Sequence, residues 1–142
     1  MTDKIILITG GAKRVGATIT RLIHASGYKV MIHYRSSVQD AKALQAELNG
    51  IRPDSAAIFQ ADLLDLAALQ QLVKETVRHF GGLDVLINNA SSYYATEIGS
   101  ITADDWDNLL GTNLRAPLFL SQAAAPELRK RRGCIVNITG TW

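Results

Sequence analysis

A single cysteine, Cys134, stands in 142 residues, so no internal disulfide braces the fold. It has no metal-ligand neighbours, and it reads as a small buried side chain in a reducing compartment. His24, His33 and His79 also lack partners at ligand spacing and read as structural or solvated, so no metal site is expected. No apolar run is long enough to span a bilayer, and the first apolar stretch is too short for a secretory signal, which predicts a cytoplasmic protein with no membrane partner. An excess of charge of one sign is lacking as well: the net charge is +2, and the basic residues are scattered except for Arg129-Lys130-Arg131-Arg132. That cluster falls at the end of a predicted helix, where cations meet the negative end of the helix dipole. It lacks an aromatic platform, so a nucleic-acid partner is not expected. Repeats and low-complexity linkers are absent, and the length fits one domain that buries about two-thirds of the surface its unfolded chain exposes.

What the chain does have is an apolar strand, Ile5-Ile6-Leu7-Ile8, running straight into TGGAKRVG at positions 9–16 and then into helical periodicity. Gly10 and Gly11 allow backbone N–H groups to approach an anion, and Gly16 allows the helix to pack closely on the strand. Arg14 occupies the place of a middle glycine, where a guanidinium pairs with phosphate oxygens. Such a loop fits either a nucleotide site or an ordinary strand-to-helix turn. The helix is expected over 15–26, with Val15, Ile19, Leu22 and Ile23 as its apolar face, and the second strand over 28–34.

A dinucleotide site selects its cofactor about 20 residues past the loop, where an acidic side chain binds the 2′-hydroxyl of NAD. Here the chain reads His33-Tyr34-Arg35-Ser36-Ser37, with a cation and hydroxyls suited to a 2′-phosphate, so NADPH is preferred over NADH. The same residues also fit a helix cap, since Ser37 with Asp40 resembles a capping box.

Strands and helices go on alternating. A third strand over 56–60 leads to Asp62 and Leu63, and a helix over 65–80 follows with Leu66, Leu69, Val73, Val77 and Phe80 on its apolar side. A fourth strand over 83–88 ends in Asn88-Asn89-Ala90. Thr102 and Asp105 form a capping box for a further helix, with Trp106, Leu109, Leu110, Asn113 and Leu114 along one side and a kink at Pro117. A fifth strand covers 134–139. The alternation predicts a Rossmann-like α/β fold, a doubly wound parallel sheet of about five strands with helices on both faces, in one domain. Ligands of such sheets bind at the carboxyl ends of the strands, so the glycine loop, Asp62 and residues 88–91 should converge on one crevice.

Together, TGGAKRVG, HYRSS, Asp62-Leu63, NNASSYY at 88–94, Asn113 and IVNIT at 135–139 closely resemble the short-chain dehydrogenase/reductase family along the whole chain. Arg14, the HYRSS strand end and the NNASSYY loop look like its pteridine reductase branch, which reduces pterin and folate rings with NADPH. The resemblance implies that Gly10, Arg14, Val15 and Gly16 hold the pyrophosphate region of NADP(H). It places His33, Tyr34, Arg35 and Ser36 at the adenosine ribose and 2′-phosphate, Asp62 and Leu63 beside the adenine, and Asn89, Ala90 and Ser91 along the nicotinamide ribose. Arg14, Ser91 and Tyr93 would meet the substrate, Tyr93 by stacking on a flat ring; as a bare residue, Tyr93 fits equally a loop tyrosine packed on a neighbouring helix. Asn113 corresponds to a family asparagine that supports the active site, and also fits a solvated helix position.

One family element is missing. The proton donor of the family is a Tyr-x-x-x-Lys pair beyond the fifth strand, in which the cation lowers the tyrosine pKa. Tyr28, Tyr34, Tyr93 and Tyr94 all lack a lysine four residues on, and the pattern departs at Gly140-Thr141-Trp142, with Gly140 where the family carries serine or aspartate. A frameshift, an excised piece or a fragmentary gene reading each explain this. Ile135, Val136 and Ile138 are then expected on an open sheet edge, leaving the isolated chain marginally stable or self-associating, whereas the intact family member is a homo-oligomer. Three functions stay open: an NADPH-dependent pterin or folate reductase, a carbonyl reductase of the same family, and a catalytically silent nucleotide-binding module.

Overall fold

The computed structural model describes residues 3–140; Thr141 and Trp142, where the family pattern departs, lie outside the described residues. Five strands, β1 (Ile5–Ile8), β2 (Lys29–Tyr34), β3 (Ala56–Gln60), β4 (Val85–Asn88) and β5 (Cys134–Asn137), form one parallel sheet in the order β3-β2-β1-β4-β5. The order reverses direction at β1, which pairs with β2 through Ile6 and Val30 and with β4 through Ile6 and Val85. The crevice above that switch point is where a sheet of this kind takes its ligand.

Helices α1 (Arg14–Ala25) and α2 (Val38–Ile51) cover one face, and α3 (Leu66–Phe80) and α5 (Ala116–Arg131) the other. On the first face Ile6, Ile8, Val30 and Ile32 meet Ala17, Ala41, Leu44 and Leu48; on the second, Leu7, Met31 and Leu86 meet Leu69, Leu72, Leu120 and Leu128. The strands alternate their side chains between two covered faces, so β1 is buried at every residue. The doubly wound sheet of five strands with helices on both faces is thus the architecture expected from the alternation. Among the described residues no helix is long and apolar enough to cross a membrane.

Several expected faces shift. The buried side of α1 is Gly16, Ala17, Thr20 and His24, while Val15 and Leu22 are exposed and Ile19 and Ile23 only partly buried. The first turns of this helix rest on the glycine loop, where the Thr20 hydroxyl donates to the Gly11 carbonyl oxygen at 3.0 Å and a Cβ on Gly16 would lie 2.0 Å from the Gly10 carbonyl oxygen. In α3 the buried set is Leu69, Leu72, Val73 and Thr76, with Leu66 exposed in the first turn beside the Asp65 cap. Cys134 is exposed rather than buried, because it begins β5 on the sheet edge. Ile135, Val136 and Ile138 on that strand and just past it are also exposed.

Helix α4 (Ala103–Leu110) starts at the Thr102–Asp105 capping box, and both reciprocal hydrogen bonds are present. Trp106 and Leu114, expected on its apolar side, are exposed. Pro117 lies in the first turn of α5, which continues directly from the preceding helical turn, with the Ala116 N–H donating to the Gly111 carbonyl oxygen. The irregularity comes one turn earlier, as a π-helical turn over Gly111–Arg115 joining α4 to α5. In the basic run, Arg131 turns inward to Asp84 (3.1 Å) and Lys130 pairs with Glu127 (2.6 Å). Asp84 also accepts the Ile5 N–H at 2.8 Å, so this pair pins the start of β1 to the end of α5.

Candidate functional site

At the carboxyl ends of β1 to β4 the loops border one cleft of about 570 Å³. The glycine loop contributes Gly10, Ala12, Lys13, Arg14, Val15 and Gly16; the end of β2 contributes His33, Tyr34, Arg35, Ser36 and Ser37. Asp62 and Leu63 follow β3, residues 89–92 follow β4, and Thr112 closes the cleft from the π turn. Tyr93 is not part of this lining and stands on an exposed loop. Asn113 does not line the cleft either.

The loop takes its shape from contacts that leave no room for side chains. Gly10 has φ +59°, and a Cβ on it would lie 3.0 Å from the Ala90 Cα. On Gly16 a Cβ would lie 2.0 Å from the Gly10 carbonyl oxygen and 2.7 Å from the Asn89 side-chain nitrogen. The first turn of α1 therefore rests directly on the loop. Its N-cap, Lys13, makes no side-chain cap bond and no acidic residue stands in the first turn, so the positive end of the helix has no anionic side chain of its own there. Such an end with glycines against it fits a phosphate group.

Arg14, the first residue of α1, has φ +50°. The position thus keeps a glycine's conformation while carrying an arginine, at a cost of roughly 1–2 kcal/mol for a residue with a Cβ. Replacing Arg14 with glycine is expected to raise stability by about 1 kcal/mol, or roughly 3 °C in Tm, after glycine's own backbone entropy is counted. Thermal denaturation of the two proteins measures this, and an unchanged or lower Tm contradicts it.

The β4 side is built on Thr9, a residue that the motif reading passes over. Its buried hydroxyl accepts hydrogen bonds from the backbone N–H of Asn89 and of Ala90, each at 3.0 Å. The Asn89 amide in turn donates to the carbonyl oxygens of Thr9 (3.0 Å) and Gly10 (3.2 Å). Asn88 donates to the Asn137 side-chain oxygen at 2.9 Å, tying β4 to β5. The bonds to Thr9 join residues about eighty apart in sequence, so no local pattern announces its partners.

Asn113 has a defined task. Its side-chain oxygen accepts the Ser92 N–H (3.0 Å) and its amide donates to the Ser92 carbonyl oxygen (2.8 Å), clasping the loop after β4 as a neighbouring strand would. The π turn aims it, since one wider turn rotates the following side chains relative to α4. Gly111 in that turn packs on Leu64, and Arg115 donates to the Leu64 carbonyl oxygen at 3.3 Å, so the loop after β3 is gripped as well.

The Ser37 side chain makes no cap bond, and Asp40 pairs instead with Lys13 at 3.1 Å, so the expected capping box does not form. Desolvation first, and then the Asp105 carboxylate near it, hold the Tyr94 hydroxyl above the ordinary phenol pKa. A phenol shifted in that direction is less acidic, the opposite of an activated proton donor.

The profile of the family described as short chain dehydrogenase matches residues 4–141. Pteridine reductase 1 of Leishmania tarentolae is 36% identical over 162 aligned residues, covering 92% of this chain and 56% of that protein. The 3-oxoacyl-[acyl-carrier-protein] reductase FabG of Staphylococcus aureus (strain Mu50 / ATCC 700699) is 34% identical, covering 96% of this chain and 55% of that one. A solved structure, a blue fluorescent protein from a metagenomic library in complex with NADPH, superposes with a TM-score of 0.90 at 34% identity, covering 96% of this chain and 56% of that chain. The chain thus spans little more than half the length of the relatives it matches. By profile, identity and fold together, the chain belongs to the short-chain dehydrogenase/reductase family.

Proposed function

We propose that this chain forms the NADP(H)-binding part of a short-chain reductase whose substrate is a pterin or folate ring. The observation that carries the cofactor reading is the end of β2, where Arg35, Ser36 and Ser37 line the cleft together with Arg14 and no acidic side chain from β2 opposes them. A 2′-phosphate gains a charge-assisted hydrogen bond there, and the 2′-hydroxyl of NAD finds no carboxylate. The uncapped start of α1 with Gly10 and Gly16 suits the pyrophosphate, Asp62 and Leu63 the adenine, and Asn89, Ala90 and Ser91 the nicotinamide ribose. When bound, the dinucleotide supplies the hydride.

Support for the pterin reading is the likeness to the Leishmania reductase together with Arg14 at a glycine position and the NNASSYY loop that carries Ser91 and Tyr93. The similar identity to a 3-oxoacyl reductase favours a ketone substrate as the second reading. The 142 residues contain no Tyr-x-x-x-Lys pair, so for this chain the proposal concerns binding.

Titration calorimetry tests the cofactor reading. The chain is expected to bind NADP⁺ about ten- to a hundredfold more tightly than NAD⁺, the equivalent of about 1.5–3 kcal/mol. Arg35→Asp is expected to remove that preference by repelling the 2′-phosphate. Equal affinities in the unaltered chain overturn the proposal. A dihydropterin that binds the NADP⁺ complex where an acetoacetyl thioester does not favours the pterin substrate, and the reverse favours the ketone.

A further inference from the structure

We propose that His33 is a positioning residue of the phosphate cradle: as a neutral imidazole with its proton on Nε2, it fixes the glycine loop to the end of β3, and the cradle keeps its shape only while that ring is uncharged. The proposal rests on the nucleotide reading of the cleft and gives His33 a different task from contact with the ribose.

The ring is buried, with 2% of its surface exposed, and both nitrogens are engaged. Nδ1 lies 3.1 Å from the Gly10 backbone nitrogen and Nε2 lies 2.9 Å from the Ala61 carbonyl oxygen. Gly10 N–H can only donate and the Ala61 carbonyl can only accept, so a single tautomer satisfies both. The backbone of the same strand end repeats the pattern: the His33 carbonyl oxygen accepts the Gly11 N–H, and the Tyr34 carbonyl oxygen accepts the Ala61 N–H, each at 3.1 Å. One residue thus holds two consecutive glycines of the loop and, with its neighbour, the segment leading to Asp62; the N–H groups of Gly10 and Gly11, expected from the sequence to face an anion, are instead occupied by His33.

Protonation of Nδ1 would set one N–H against another at Gly10. That loop has little room to retreat, because Gly10 already stands at positive φ with the Ala90 backbone 3.0 Å from where a Cβ would be. Charged groups approach from each segment around the ring. Asp62, beyond β3, favours the imidazolium, whereas Lys13 and Arg14 of the loop and Arg35 of β2's own end line the same cleft as cations. Burial pushes the His33 pKa down, against the opposing pull of the Ala61 hydrogen bond and Asp62. With the folded value below the unfolded one, the ring's contribution is present above about pH 6.5 and is lost as pH falls through the folded value. Nucleotide affinity follows in the same direction.

The test compares NADP⁺ binding and ring spectroscopy in the full chain. In wild-type protein at about pH 7.5, the ¹⁵N spectrum is expected to show His33 with Nδ1 bare and Nε2 protonated. His33→Asn places an amide oxygen near the former Nδ1, keeping the Gly10 acceptor without a titrating group, and should bind within about threefold of wild type; His33→Phe keeps a ring without an acceptor and should bind about tenfold more weakly. Over the pH range in which the ¹⁵N spectrum shows the His33 ring gaining its proton, wild type should lose affinity that His33→Asn keeps, the protonation of the nucleotide's own phosphate being common to both. A ring protonated on Nδ1 at neutral pH, or equal acid losses in wild type and His33→Asn, overturns the positioning role while leaving the nucleotide reading intact. Failure of wild type to bind NADP⁺ at any pH overturns both.

Discussion

Gly16→Ala is expected to lower the affinity for NADP⁺ by about a hundredfold or more, equivalent to about 2.7 kcal/mol, and to destabilise the fold by about 3 kcal/mol. The added methyl would sit 2.0 Å from the Gly10 carbonyl oxygen and 2.9 Å from its carbon, and both are backbone atoms that no rotamer change removes. Either α1 lifts off the sheet or the loop moves. The first opens the packing of Ala17 and Thr20; the second breaks the Asn89 bonds to Thr9 and Gly10. Gly50 provides the control, since it lies in α2 with nothing within 4 Å of its missing Cβ. There alanine should stabilise by about 0.5–1 kcal/mol. Denaturant melts and calorimetry on the two variants separate the cost of a close approach from that of helix propensity. A Gly16→Ala protein that binds and melts like wild type sinks the argument.

Thr9→Val should cost about 3 kcal/mol of stability and weaken nucleotide binding with it. The substitution keeps the shape of the side chain and removes only its oxygen, which leaves the N–H groups of Asn89 and Ala90 without their shared acceptor. A buried donor left unsatisfied costs about 1–3 kcal/mol, and here there are two. Thr9→Ser retains the oxygen and should recover most of the loss, apart from about 1 kcal/mol for the missing methyl. Urea denaturation of the three proteins distinguishes these outcomes. A valine variant as stable as the serine variant shows that the loop after β4 does not depend on the hydroxyl.

These two residues mark how far the chain could be read before its structure. The glycine loop was legible because Gly10 and Gly16 act over a span of a few residues, and short-range sterics leave a local signature. The parallel sheet and its helices were legible because the alternation repeats along the whole chain. The inner face of α1 was not: helical periodicity finds large apolar side chains, and this helix buries glycine, alanine, threonine and histidine instead. Thr9 was invisible for another reason, since its partners lie about eighty residues away and only the fold brings them together. Asn113 could be named by resemblance, but its clasp on Ser92 depends on a π turn for which no sequence rule was available. His33 was assigned to the ribose only by resemblance; that its ring faces inward follows from Gly10 and Ala61 occupying both nitrogens.

Arg14, in its left-handed conformation, bears on how this protein should be engineered. A library screened for survival after heating would enrich glycine at position 14, because that exchange relieves the backbone. The same winners would have discarded the guanidinium that lines the cleft. Selection for heat resistance here should therefore be run with the nucleotide present, so that variants are ranked on the loaded protein rather than the empty one.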